Sequence, residues 1–175
     1  MTPAHARMMA AYGTWMNRRM LDLCDRLSDA ERKRDLGAFF GSIHGTFDHL
    51  IYGDVAWMGR FTGSPMLAKR IGEVVHETWE ELAASRRVLD LGIETWAAAL
   101  TGAWLVETMS YVSATDGKTR VLPRWVLVTH MFNHGIHHRG QLTTLMKQLG
   151  VDPGVTDLPW LPALYDGSVL GGREM

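Results

Sequence analysis

Four of the chain's eight histidines fall within eleven residues, HMFNHGIHHRG at 130–140: His130, His134, His137 and His138. Neutral imidazole binds borderline cations such as zinc and nickel well. Residues four apart on an α-helix differ by only about 40° around its axis. His130, His134 and His138 therefore form one stripe, with Leu127, Met131, Gln141 and Leu145 on or beside it. The stripe continues an apolar face that must look inward, which argues against a solvated basic patch. Two readings are left: a metal site, or a buried cluster of neutral histidines bonded to each other, Gln141 and backbone. Crowded imidazoles in an apolar interior gain little without a cation, which favours metal. His134 with His138, and His130 with His134, have the H-x-x-x-H spacing that presents two nitrogens to one ion. His137, three residues after His134, is also within geometric reach.

A tight site needs a third ligand from another helix. HGTFDH offers His44 and His49, five residues and hence about 140° apart, so only one easily reaches a common centre. His44 borders the stripe of Phe40, Phe47 and Met58. His49 shares a strip with Ser42, Gly45, Gly53 and Ala56, small residues that let a neighbouring helix approach closely. Spacing leaves both open. His5 and His76 read as incidental, Cys24 as packing, and Asp48 and Asp54 as solvated surface carboxylates. Gln141 can hold a histidine's second nitrogen or meet substrate, whereas Arg139 projects elsewhere and suits an interface. The Glu plus Glu-x-x-His pairs of ferritin-like sites and the H-E-x-x-H motif of zincins are both missing.

The elements that must carry these residues are long amphipathic helices. Three- and four-residue steps of Met8, Met9, Tyr12, Trp15, Met16, Met20, Leu23 and Leu27 predict a helix over about Ala4–Leu27. Ser28 and Glu31 of SDAE form a capping box. A second long helix is expected from about Ala38 to Phe61, ended by TGSP, and a third from about Glu77 to Leu100, with Gly92 as a place to bend. WLVETMSYVSATDGKTRVLP, β-branched and aromatic around Asp116-Gly117, predicts a short hairpin or extended excursion. Pro123 then suits the first turn of a last helix that runs to about Leu149 and stops at Gly150. The Pro- and Gly-rich tail is not helical, but Trp160, Leu161 and Leu164 should dock on the body. The sum is an all-α four-helix bundle in one domain, 1–175.

Composition narrows the function classes. A hydrophobic fraction of 46% with 21% charged residues is ordinary for a soluble globular protein. A net charge of −1 gives no support to a nucleic-acid partner. No apolar run approaches the roughly 20 residues that cross a bilayer, and the N-terminus lacks a secretory h-region. One cysteine excludes an internal disulfide framework and suits a reducing compartment, so a cytoplasmic location is expected. Seven tryptophans and eleven methionines fit bulky inter-helix packing and a pocket or subunit interface.

The run HMFNHGIHHRGQL, paired upstream with HLIYGDVAWMGRF and followed by GVDPGVTDLPW, resembles the DinB family, the damage-inducible-type proteins related to YfiT-like metal-dependent hydrolases. The likeness extends from about His5 to Tyr165. It implies a four-helix bundle, commonly a homodimer, with a three-histidine metal site. Its second-helix ligand falls on His49 and its late pair on His134 and His138, which makes His44, His130 and His137 supporting groups. The resemblance further implies a divalent ion, zinc or nickel, and a small-molecule substrate. Relatives of the family include enzymes that join low-molecular-weight thiols to electrophiles. The expected function is therefore a metal-dependent thiol S-transferase or hydrolase. The alternatives are a non-catalytic metal-binding stress-response protein and a dimeric helical module with a vestigial site.

Overall fold

Helix α1 (Pro3–Cys24) starts where Thr2 accepts a hydrogen bond from the His5 amide at 3.1 Å and Pro3 presets the first turn. This is a computed structural model, and it describes residues 1–64 and 73–169. The capping box expected at Ser28 and Glu31 opens a single helical turn, α2 (Asp29–Arg32). The second long helix, α3 (Ile43–Thr62), begins five residues later than its apolar pattern predicts. Gly41 takes a left-handed φ of 72°, and Ser42 caps the new start by accepting from the Gly45 amide at 3.0 Å. Residues 38–41 form a turn, which leaves Phe39 85% exposed instead of on the inner face. At its other end α3 stops at Gly63, again left-handed.

Helix α4 (Trp79–Ala98) carries a capping box of Thr78 and Glu81 and continues through Gly92. A short α5 (Gly102–Val106) leads into the expected hairpin, β1 (Thr108–Val112) and β2 (Thr119–Pro123), antiparallel with Thr108 opposite Pro123 and Val112 opposite Thr119. The chain passes from β2 directly into α6 (Arg124–Gln148). α1 packs chiefly on α4 and α3 on α6; α1–α6 and α3–α4 contacts close the four-helix bundle. Met16, Met20, Phe47, Ile51, Leu82 and Leu142 meet in its core. The tail makes two short 3-10 turns and buries Leu161, but Trp160 stays 60% exposed, contrary to its expected docking. Tyr12 holds this tail by donating to the Thr156 carbonyl at 2.7 Å. Cys24 is fully buried among α1's packing residues, and burial pushes its thiol up to about 12.

The core is not wholly apolar. Arg86, without solvent exposure, lies 2.7 Å from Asp54 of α3 and 2.8 Å from Asp90 of its own helix. Asn17 of α1 donates to Asp90 at 2.9 Å and accepts from Arg139 of α6 at 3.4 Å; the Arg139 guanidinium also lies 5.5 Å from the Tyr12 ring centre. All four long helices thus contribute to one polar network with two cations and two carboxylates. This corrects the expectation that Asp54 is a surface group and that Arg139 points to an interface: both are buried. Among the described residues, no helix is long and apolar enough to cross a membrane.

Candidate metal centre

α3 and α6 face each other along the bundle, and their contact brings His49, His134 and His138 together. Nε2 of His134 lies 3.1 Å from Nε2 of His49 and 3.0 Å from Nε2 of His138. One ligand nitrogen from each lies within 4.8 Å of the other two. Burial, reinforced by the neighbouring rings, pulls the His134 imidazole down to about 3. Burial, then His138, pulls His49 down to about 4. His138 is lowered too, chiefly by burial, with its Gln141 hydrogen bond opposing the shift. All three rings are therefore neutral near pH 7 and each has one lone pair to offer.

The bonding of these nitrogens fits a cation better than it fits a self-contained cluster. Oε1 of Gln141 lies 2.8 Å from Nδ1 of His138, so that nitrogen carries the proton and Nε2 keeps its lone pair. The Gln141 amide is itself oriented by Nε2 of His137, 3.2 Å from its Nε2. A neutral His134 has at most one hydrogen on Nε2, which cannot serve His49 and His138 at full strength together. A positive ion at the meeting point satisfies all three lone pairs. Gln141 supplies the second-nitrogen contact that commonly orients a metal-ligating histidine.

Two neighbours fix the rings. Phe40, just before α3, stacks on His49 with centroids 3.7 Å apart and meets His138 edge-on at 5.6 Å. Gly53 is the seat of His134: a Cβ there would fall 2.6 Å from Cε1 of that ring. Gly53→Ala should therefore displace His134 without unfolding the bundle. We expect zinc affinity to fall by about 10- to 100-fold, on the scale of disrupting a ligand's support, as read by competition with a chromophoric chelator. Unchanged affinity would mean the ring moves aside at no cost to binding.

The triad borders a cleft of about 480 Å³ between α3, the hairpin and α6, into which His49 and His134 look with Tyr52, Trp57 and Tyr111. Its size falls in the range of small-molecule sites. Asp116 lines it too, bound bidentately by Arg120 at 2.8 and 2.9 Å, and this pairing holds its carboxyl well below the usual range.

A family model described as the DinB family matches residues 2–167. The chain belongs to the DinB family. Among DinB-family relatives, Protein DinB of Bacillus subtilis (strain 168) is 24% identical to it over 160 residues, spanning 83% of this chain and 87% of that protein. The crystal structure of a DinB-like protein from Bacillus cereus ATCC 10987 matches with a TM-score of 0.60 at 24% identity, covering 82% of this chain and 91% of that one. At this identity the structural likeness establishes the DinB helical fold; chemistry has to be argued from the residues.

The other histidines of this DinB bundle lie off the triad. His44, which the apolar stripe slightly favours, donates from Nε2 to the His76 carbonyl at 2.8 Å and packs near Trp79. His130 is exposed at the cleft, 5.1 Å from the Trp57 ring, so the α6 stripe is not inward along its whole length. His5 is exposed, as an incidental residue would be. His76 is not incidental: its Nδ1 donates to Oδ1 of Asp48 at 2.7 Å, and Asp48 also accepts from the amides of Val75 at 2.6 Å and His76 at 3.1 Å. Asp48 is consequently buried as a clasp for the irregular segment that leads into α4, not solvated. Its place one residue before His49, beside the buried Phe47, was the available sequence clue.

Proposed function

We propose that His49, His134 and His138 hold a divalent metal ion, zinc or nickel, and that the chain is a metal-dependent enzyme acting on a small molecule. Thiol S-transfer and hydrolysis are the two reactions such a site supports. The observation that carries this reading is the convergence of three neutral imidazole nitrogens at the wall of a cleft large enough for a substrate. When bound by three such ligands, an ion offers Lewis acidity at an open position and lowers the pKa of a water or thiol there.

The chain's own groups bear on both reactions. Hydrolysis gains from a general base beside the attacking water. Among the described residues lining the cleft, Asp116 is the sole carboxylate, and Arg120 occupies both of its oxygens. His130 stands at the same wall and is a base for either nucleophile, so the lining serves a metal-bound water as well as a thiol, and the panel of thiols and esters separates them. Phe40 and Gln141 keep His49 and His138 aimed, and the aromatic walls limit water around the reacting groups.

The test starts from protein purified without a histidine tag. Elemental analysis should find about one divalent ion per chain. A panel of low-molecular-weight thiols with an aryl-halide or epoxide electrophile should then turn over only with the metal present. Retained metal with no turnover of any thiol or ester would leave a metal-binding protein without catalysis.

A further inference from the structure

Charge in the cleft is unbalanced. Asp116 and Arg120 neutralise each other, which leaves Arg60 as the uncompensated cation of the lining. Among the described residues, no carboxylate lies within ion-pair distance of it. Arg60 lies in the last turn of α3, where a cation also suits the helix C-terminus, but its side chain does not run past that end. Nη1 turns back to donate to the Ala56 carbonyl at 2.8 Å. The guanidinium rests 5.1 Å from the Trp57 ring centre and 5.9 Å from that of Tyr111. Two aromatic rings thus hold a half-buried guanidinium in the wall of the same cleft that His49 and His134 enter. One donor is used on the backbone; a guanidinium has five, in a planar fork that matches a carboxylate.

We infer that Arg60 is an anion-recognition residue of this cleft, so that the substrate bears a carboxylate in addition to the group that seeks the metal. This assignment rests on the proposed function for the metal-seeking end only. The carboxylate end follows from Arg60 and its rings. Stacking on Trp57 and Tyr111 preorganises the guanidinium and lowers the entropy lost on forming the pair. A charge-assisted pair in a partly dry cleft gives about a tenfold or larger preference for the anion over its neutral isostere.

Calorimetric titration of metal-free and cobalt-loaded protein with mercaptohexanoate and with its uncharged amide tests this. We expect the carboxylate to bind the wild type at least about tenfold more tightly than the amide. Arg60→Gln should abolish that preference, and Arg60→Lys should restore part of it. Equal affinity of the two probes for both forms of the wild type would overturn the inference. So would a preference that survives in Arg60→Gln, since the carboxylate would then be bound by the metal or another group. The metal reading fails separately, if cobalt adds nothing to the affinity of either probe; the comparison on metal-free protein still decides the role of Arg60.

Discussion

His134→Ala is expected to give a folded protein that retains no stoichiometric metal. His134 is the central member of the triad, since its Nε2 is the atom within 3.1 Å of both other nitrogens. Removing it leaves His49 and His138, one imidazole from each of two helices, and two neutral imidazoles do not make a tight site. The bundle should survive, because the ring sits over Gly53 at the cleft and not among the packed residues of the core. The direct measurement is metal content after dialysis against a weak chelator. A second is thermal: zinc at about 1,000 times its dissociation constant stabilises the wild type by about 4 kcal/mol, and the variant should show no such shift. His49→Ala should behave in the same way. His44→Ala should keep the ion, because that ring bonds to the His76 carbonyl and lies off the triad. Full metal content in His134→Ala, with loss in His130→Ala or His137→Ala, would reassign the ligands.

The largest effect on stability belongs to Arg86→Met. Methionine nearly matches the side-chain volume but strands Asp54 and Asp90, whose side chains are 9% and 5% exposed. Burial already raises the Asp90 carboxyl, with Arg86 as the main opposing influence. Removing one partner of a buried ion pair costs about 3–5 kcal/mol, because the remaining charge has neither water nor a counter-ion. For a chain of this size that is a fall of roughly 10 °C in Tm. Arg87→Met provides the contrast: Arg87 meets Asp22 at 3.5 Å on the surface, where such pairs contribute less than about 1 kcal/mol. Adding Asp90→Asn to Arg86→Met should recover part of the loss. Chemical denaturation showing Arg86→Met within 1 kcal/mol of wild type would contradict this account.

The helices and the hairpin were legible because their periodicities and caps are local. The steps through Met8 to Met20, the Ser28–Glu31 box and Pro123 before α6 each state a boundary or face within a few residues. The start of α3 was not legible. Phe39 and Phe40 continue its apolar spacing, but Gly41 in a left-handed turn and the Ser42 cap break the helix before them. In the site, the spacing of His134 and His138 could be read from the sequence, because one helix sets it. Which of His44 and His49 meets the α6 pair depends on how α3 rotates toward α6, which the spacing within one helix leaves open. The resemblance to the family, not the geometry of one helix, pointed to His49.

The buried charges were not legible for a different reason. Asp54, Arg86, Asp90 and Arg139 all lie at helical spacing from core residues: Asp54 is three from Ile51, Arg86 four from Leu82, Asp90 three from Ile93 and Arg139 three from Leu142. A charged side chain argues for the surface, as it did for Asp54, while the helical position of all four places them inside. Ionised groups enter a core when they arrive in compensating pairs, and the partners come from helices far apart in sequence. Asp48 and His76 repeat the point across 28 residues.

Cys24 carries a practical consequence for any assay of sulfur chemistry here. With its thiol pushed up to about 12 by burial and no surface in contact with solvent, Cys24 stays protonated and shielded at pH 7. The polypeptide is thus a silent background toward thiol-selective reagents. A thiol-selective reagent consumed in the presence of the folded protein reports on the added thiol, without correction for Cys24. Sudden uptake of label by the protein itself becomes a clock for unfolding.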